Sequence, residues 1–284
     1  MMKINSGKAF FALLSAILFL SGAAVFAQDK NNKSVKNRGF CENYNYSSGD
    51  KVSYKETREI NLRAGSLLNV DGGRNGGIKV KGEERGDVLV RACVQTAALT
   101  DEAARAMAKN IRIETGSSVR AENSTDDAHW AVSYEILVPR STNLKLETHN
   151  GGISINGVEG TMEFTALNGG IHLSDVAGDV KGKTTNGGIH ATLSGSGWKG
   201  NGLDLQTTNG GVHLEISENY AARIETGTVN GGFKSDIAAL NVERTERTRG
   251  VRLNTELNGG GAPIRLITTN GGVKISSAAT VKNL

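Results

Sequence analysis

Three histidines, His172, His190 and His213, occupy the same slot in near-identical stretches: LNGGIH, TTNGGIH and TTNGGVH. Imidazole is a common ligand of Zn²⁺ and Cu²⁺, so a column of such side chains could share an ion if the segments carrying them lay side by side. Other copies of the stretch put Ser154, Lys234 and Lys274 in this slot. A solvated polar stripe is therefore the competing reading. No cysteine or carboxylate supports the column from the sequence alone, and no metal or other cofactor is assigned.

Other residues capable of chemistry have plainer explanations. Asp126-Asp127 with His129 resembles an acid/base cluster, but a turn between two strands accounts for it. Trp198 lies in GSGWKGNG (195–202), where an aromatic between glycines could contact a sugar or pack over an edge. The run ERTERTR (243–249) reads as a solvated hairpin tip. No phosphate loop, Ser-His-Asp order, zinc motif or cysteine nucleophile is visible. Nor does an Asp pair recur at a fixed slot, as a carbohydrate-cleaving face would need. No catalytic residue is assigned, and the chain is read as not an enzyme.

Two cysteines, Cys41 and Cys93, fit no metal or redox spacing. In an exported chain a pair reads as one disulfide, the alternative being two separate thiols. Export is itself expected. Lys3 and Lys8 precede the apolar run Ala9–Leu20, and Val25-Phe26-Ala27 fits a small-residue cleavage site before Gln28. The run is shorter than the roughly 18–20 residues that span a bilayer, and no second apolar segment follows. The mature chain is thus expected to have no membrane span and to be periplasmic, surface-exposed or secreted. Without the first 27 residues it carries 31 basic and 29 acidic residues, a net charge of +2. That balance gives no reason to expect a nucleic-acid partner.

The elements that would position these residues are short strands. Of 284 residues, 37 are glycine and only 2 proline, without the third-position period of collagen. Recurrent tight turns explain such a composition. Asn150, Asn168, Asn186, Asn209 and Asn230 each open an Asn-Gly-Gly, at gaps of 18, 18, 23 and 21 residues. Asn258 and Asn270 continue the series irregularly, and Asn75 is an outlying earlier copy. After each comes a strand with alternating apolar residues, such as Ile153/Ile155, Ile171/Leu173 and Val212/Leu214/Ile216. Alternation sends one set of side chains inward and the other outward.

An antiparallel meander with Asn-Gly hairpins and a β-helix can both be built from such units. The β-helix is favoured, because a two-residue hairpin needs only Asn-Gly, and the second glycine would weaken the next strand. A sharp corner can use both glycines through positive φ. Asparagines at one corner, Asn150, Asn168, Asn186, Asn209, Asn230 and Asn270, could then bond to one another from coil to coil. One of each threonine pair, Thr184-Thr185, Thr207-Thr208 and Thr268-Thr269, would form an exterior column. The 40 residues from Asn230 to Asn270 make either two coils of about 20 or one coil carrying a hairpin, and the hairpin is favoured because 238–257 is two strand-like runs around a charged turn.

The domain reading follows. Residues 1–27 are a signal peptide and 28–58 a flexible leader. Residues 59–143 form a β-rich cap module, with a helix over 101–110 that Thr100 can cap. Residues 144–284 are the repeat array, whose units cannot fold singly and need stacked neighbours.

The stretch SYEILVPRSTNLKLETHNGGISI (133–155), the repeated T-x-N-G-G-[IV] and an exported N-terminal module with one short helix resemble the bacterial putative-adhesin family. That family is a domain of unknown function, related to the head domains of auto-transporter-like adhesins. The resemblance covers about residues 58–278. It implies a right-handed, single-stranded parallel β-helix with surface or periplasmic placement and adhesive or scaffold use, and it carries over no catalytic residues. The cysteine pair and the segment before Asn258 depart from the family pattern. The expected function is a non-enzymatic exported binding module for an envelope or extracellular protein or glycan. The alternative is a glycan-binding or glycan-cleaving protein that uses the Trp198 face.

Overall fold

The structure is a computed structural model that describes residues 39–44, 46, 49–125, 129–240 and 250–278. The expected signal segment, residues 28–38, 45, 47 and 48 of the expected leader, Asp126-Asp127 and the ERTERTR run lie outside the described residues, and the leader's last residues, from Val52 on, are strand.

The strands in chain order are β1 (Val52–Arg63), β2 (Leu68–Asp71), β3 (Ile78–Glu83) and β4 (Asp87–Ala98); after the helix α1 (Asp101–Asn110) come β5 (Ile111–Glu114), β6 (Val119–Asn123) and β7 (Trp130–Pro139). The repeats supply β8 (Leu144–Thr148), β9 (Ile153–Asn156), β10 (Glu159–Asn168), β11 (Ile171–Ser174), β12 (Ala177–Asn186), β13 (Ile189–Thr192), β14 (Gly202–Asn209) and β15 (Val212–Ile216). The last are β16 (Ala222–Asn230), β17 (Phe233–Ser235), β18 (Val251–Leu257), β19 (Pro263–Asn270) and β20 (Val273–Ser277).

These strands form two mixed sheets of ten among the described residues. The first runs β1-β4-β7-β3-β9-β11-β13-β15-β20-β17, the second β18-β16-β19-β14-β12-β10-β8-β2-β6-β5. This overturns the expectation of a right-handed, single-stranded parallel β-helix with a separate cap, on two counts. Four pairings are antiparallel, β1 with β4, β4 with β7, β5 with β6 and β16 with β18. Strands 52–139 therefore continue the same two sheets as the repeats. The units also do not stack in chain order: β19 lies between β14 and β16, and β20 between β15 and β17.

Alternation within each strand builds the core. Ile153, Ile171, Ile189, Val212 and Val273 line up across neighbouring strands of the first sheet, all at most 2% exposed. Leu144, Met162, Val180, Leu203 and Ile264 do the same on the second. The two inner faces share one apolar cluster. Gly182 fits this packing by size, since a Cβ there would lie 2.1 Å from the Phe164 ring of the adjacent strand.

The Asn-Gly-Gly corners are explained by close approach rather than by positive φ. None of Gly151, Gly169, Gly187, Gly210 or Gly271 has a positive φ. A Cβ on Gly169 would instead sit 2.0 Å from the Gly151 carbonyl oxygen, and one on Gly187 2.1 Å from that of Gly169. Backbones meet there at a distance only glycine allows. The second glycine is less constrained, with 3.3 Å to the nearest atom at Gly170 and 3.5 Å at Gly188.

Helix α1 starts where Thr100 accepts a hydrogen bond from the Ala103 N–H, with Asp101 and Glu102 in its first turn. Its Ala104 and Met107 pack with Ala98, Tyr54 and Trp130. At its far end Arg58, from β1, donates to the Ala108 carbonyl at 2.7 Å and to that of Ile111. The guanidinium thus satisfies carbonyls that a helix terminus leaves free.

Of the expected hairpin over 238–257, residues 241–249 lie outside the described residues. Ala238–Leu240 is a short 3-10 turn, and β18 pairs antiparallel with β16.

Candidate functional site

One line of outward side chains crosses all ten strands of the first sheet. In register order they are Glu59, Arg91, Glu135, Lys79, Ser154, His172, His190, His213, Lys274 and Lys234. Strand spacing sets their separation at roughly 4.8 Å. One end of the line is self-neutralising. Arg91 pairs with Glu59 at 2.8 Å and with Glu135 at 3.2 Å, and Lys79 pairs with Glu135 at 2.9 Å. Burial alone would raise the Glu135 pKa, but Lys79 and Arg91 outweigh it and hold the carboxyl below its ordinary value. At the other end Lys274 and Lys234 are exposed neighbours of like charge, and neither enters an ion pair among the described residues.

The middle of the line holds the three histidines. His172 and His190 stack with ring centroids 6.2 Å apart, and His190 and His213 meet edge-on at 4.7 Å. Glu215 joins them: its Oε1 lies 3.7 Å from Nε2 of both His190 and His213. Thr192 Oγ1 lies 3.3 Å from His190 Nε2 and donates to Glu215 Oε2 at 3.3 Å. Ser276, brought in by β20, places its Oγ 2.7 Å from His213 Nε2. Burial lowers the His213 pKa, His190 and Lys274 push the same way, and Glu215 and Asp236 oppose them. The ring is thereby biased toward its neutral form.

Sequence reasoning named the histidines and missed the carboxylate. The signal was available: Glu215 stands two residues after His213 on one strand, hence on the same face. Ser276 was not readable, because its approach depends on where β20 inserts.

The remaining candidates are placed as follows. Asn150, Asn168, Asn186, Asn209, Asn270 and Asn230, in that spatial order, form a ladder that begins at Asn75. Each Nδ2 donates to the previous Oδ1, at 2.7–3.1 Å. Asn258 stays outside it and donates to the Glu218 and Tyr220 carbonyls. The inward threonine of each pair supports the same corner: Thr184, Thr207 and Thr268 donate to the Gly169, Gly187 and Gly210 carbonyls at 2.7–2.8 Å. Cys41 and Cys93 form a disulfide with Cα atoms 5.2 Å apart. Trp198 is half-buried against the core, and its Nε1 donates to the Gly178 carbonyl at 3.0 Å. It packs over an edge and does not stand free as a stacking platform.

The second sheet presents a different line. Lys145, Glu163, Lys181, Asp204, Arg265 and Glu225 follow one another across adjacent strands with alternating sign. Arg265 and Asp204 are ion-paired at 2.9 Å.

The family model for Toastrack DUF4097 matches residues 74–276. Solved structures with similarity include a putative cell adhesion protein from Clostridium sporogenes, 11% identical, with 80% of this chain and 100% of that chain covered at a TM-score of 0.45. A putative adhesin from Bacteroides fragilis is 8% identical over 78% of this chain and 97% of that one, at 0.33. A putative lipid binding protein from Parabacteroides distasonis is 11% identical over 79% and 96%, at 0.24. No curated protein matches the chain.

Proposed function

For this chain, which belongs to the Toastrack DUF4097 family, we propose a non-catalytic binding module that acts outside the cytoplasm and holds an extended, acidic partner on its first sheet. The line across that sheet carries the reading. Its ion-paired end is electrically closed, whereas the stretch from His172 to Lys234 offers imidazoles and two unpaired ammonium groups at regular strand spacing. A regularly repeating surface suits a polymer with repeating acidic groups, such as an acidic glycan or an acidic protein segment. The second sheet, where opposite charges alternate, has no such excess.

One further fact supports placement outside the cytoplasm: the disulfide is of the kind that persists in oxidising compartments.

The test is a panel of acidic and neutral polysaccharides and acidic peptides, with binding and reducing-end release measured together on the purified protein. Acidic members should bind, more weakly as salt rises, without release. Lys234→Glu with Lys274→Glu should abolish binding, whereas Lys145→Glu on the second sheet should spare it. Sugar release, or binding indifferent to the two lysines, would overturn the reading.

A further inference from the structure

We propose that His190, His213 and Glu215 form a binding site for a transition-metal dication of the zinc or copper class on the outward face of the first sheet. The site stands independently of what the face binds.

Three observations carry it. The ligand set is two imidazoles and one carboxylate, a combination suited to Zn²⁺, while imidazole also suits Cu²⁺. The ligand atoms already converge, all lying within 4.8 Å of one another. Both imidazole-to-carboxylate separations are 3.7 Å. A tetrahedral ion with bonds of about 2.1 Å needs its ligands about 3.4 Å apart, so small side-chain rotations close the site. The backbone, finally, is fixed. His190 pairs with His213 and Thr192 with Glu215 in the parallel register of β13 and β15, so no loop must be ordered on binding.

The neighbours have definite parts. Thr192 bonds to Glu215 Oε2, leaving Oε1 facing the two rings. Ser276 occupies His213 Nε2 in the structure and would have to yield that atom to the ion. Lys274, next in line to His213, opposes a cation, and Glu215 with Asp236 offsets it. Three protein ligands leave one coordination position toward solvent, as in open metal sites. His172 is one strand further out and is not a ligand in this arrangement.

The experiment titrates untagged, chelator-treated protein with Zn²⁺ and separately with Cu²⁺, by calorimetry and by NMR of the imidazole protons. One ion per chain should bind at micromolar metal, shifting His190 and His213 and leaving His129 and His149 unmoved. His190→Ala, His213→Ala and the isosteric Glu215→Gln should each weaken binding at least about tenfold, given that even indirect supports of a metal site are worth 10–100-fold. His172→Ala should change affinity less than about threefold, by the same scale. Absence of binding at micromolar metal overturns the proposal. So does binding that survives Glu215→Gln and His190→Ala unchanged in proteins whose circular dichroism matches the parent.

Discussion

Residues 144–216 stack in chain order, whereas residues 222–277 do not. Both regions use the same corner, the same alternation and the same register, with asparagine facing asparagine throughout. What separates them is the outward charge. From β8 to β14 each unit meets its successor with an opposite sign: Lys145, Glu163, Lys181, Asp204. Had β16 followed β14 with Asn209 against Asn230, Asp204 would have faced Glu225. Insertion of β19 puts Arg265 between those two acids and continues the alternation. Like charges directly opposite destabilise a sheet, and opposite charges contribute roughly 0.2–1 kcal/mol per pair. The shared corner lets units pair with one another, and the alternation of charge favours the observed order by roughly 0.2–1 kcal/mol per pair.

The sharpest way to break this comparison is to end the chain after Gly259, removing β19 and β20. Residues 222–235 and 251–257 should then lose hydrogen-exchange protection, while 153–193 keep theirs. Retained protection in 222–230 would mean that β16 docks on β14 directly, and that charge does not set the order.

Next in size are the corner glycines. Gly187→Ala, inside the ordered stack, should cost about 3 kcal/mol in urea unfolding, the upper end for overpacking, since the Gly169 backbone it would meet is held on both sides. Gly231→Ala would meet the Gly271 carbonyl oxygen at 1.8 Å, but its unit lies last in the stack and can shift. It should cost about half as much. Equal losses would erase the distinction between the regions.

Arg265→Glu lines up three acids in a row and should cost about 1–2 kcal/mol, a deficit that added salt reduces. Salt-independence would point to lost packing instead. Smallest are the ladder amides. Asn186→Ala removes two side-chain bonds and should cost about 1 kcal/mol, whereas Asn230→Ala at the ladder's end removes one and should cost about half that.

How far the sequence could be read follows from the same distinction. Period-two alternation tells which face a side chain occupies, and Ile171, Ile189 and Val212 point inward as it requires. Asn-Gly-Gly marks the corner, and the ladder from Asn150 to Asn209 runs in the order of the repeats. Neither signal says which unit is the neighbour. The charge line that favours one neighbour over another becomes legible only after Asp204, Arg265 and Glu225 are aligned by their asparagines, and Asn258, an Asn-Gly-Gly that is no corner, hides the alignment. The region 52–139 misled for a related reason. Long strands such as Val52–Arg63 and Asp87–Ala98 pair antiparallel, and nothing local distinguishes them from a separate module. Within the site, the histidine slot was visible as a repeat, but Glu215 occurs once and Ser276 arrives from a distant strand.

The reversed strands at the ends of the sheets have a bearing on solubility. Parallel strands in register, with identical corners and self-matching asparagines, are a pattern that another copy of the chain could extend without limit, as fibrils do. Here β1 and β5 run counter to their neighbours at one extremity, and β18 does so at the other. The remaining extremity is β17, only three residues long. A three-residue outermost strand is a poor template for further addition, and a reversed strand at an edge interrupts the parallel, in-register repeat that a further copy would have to continue.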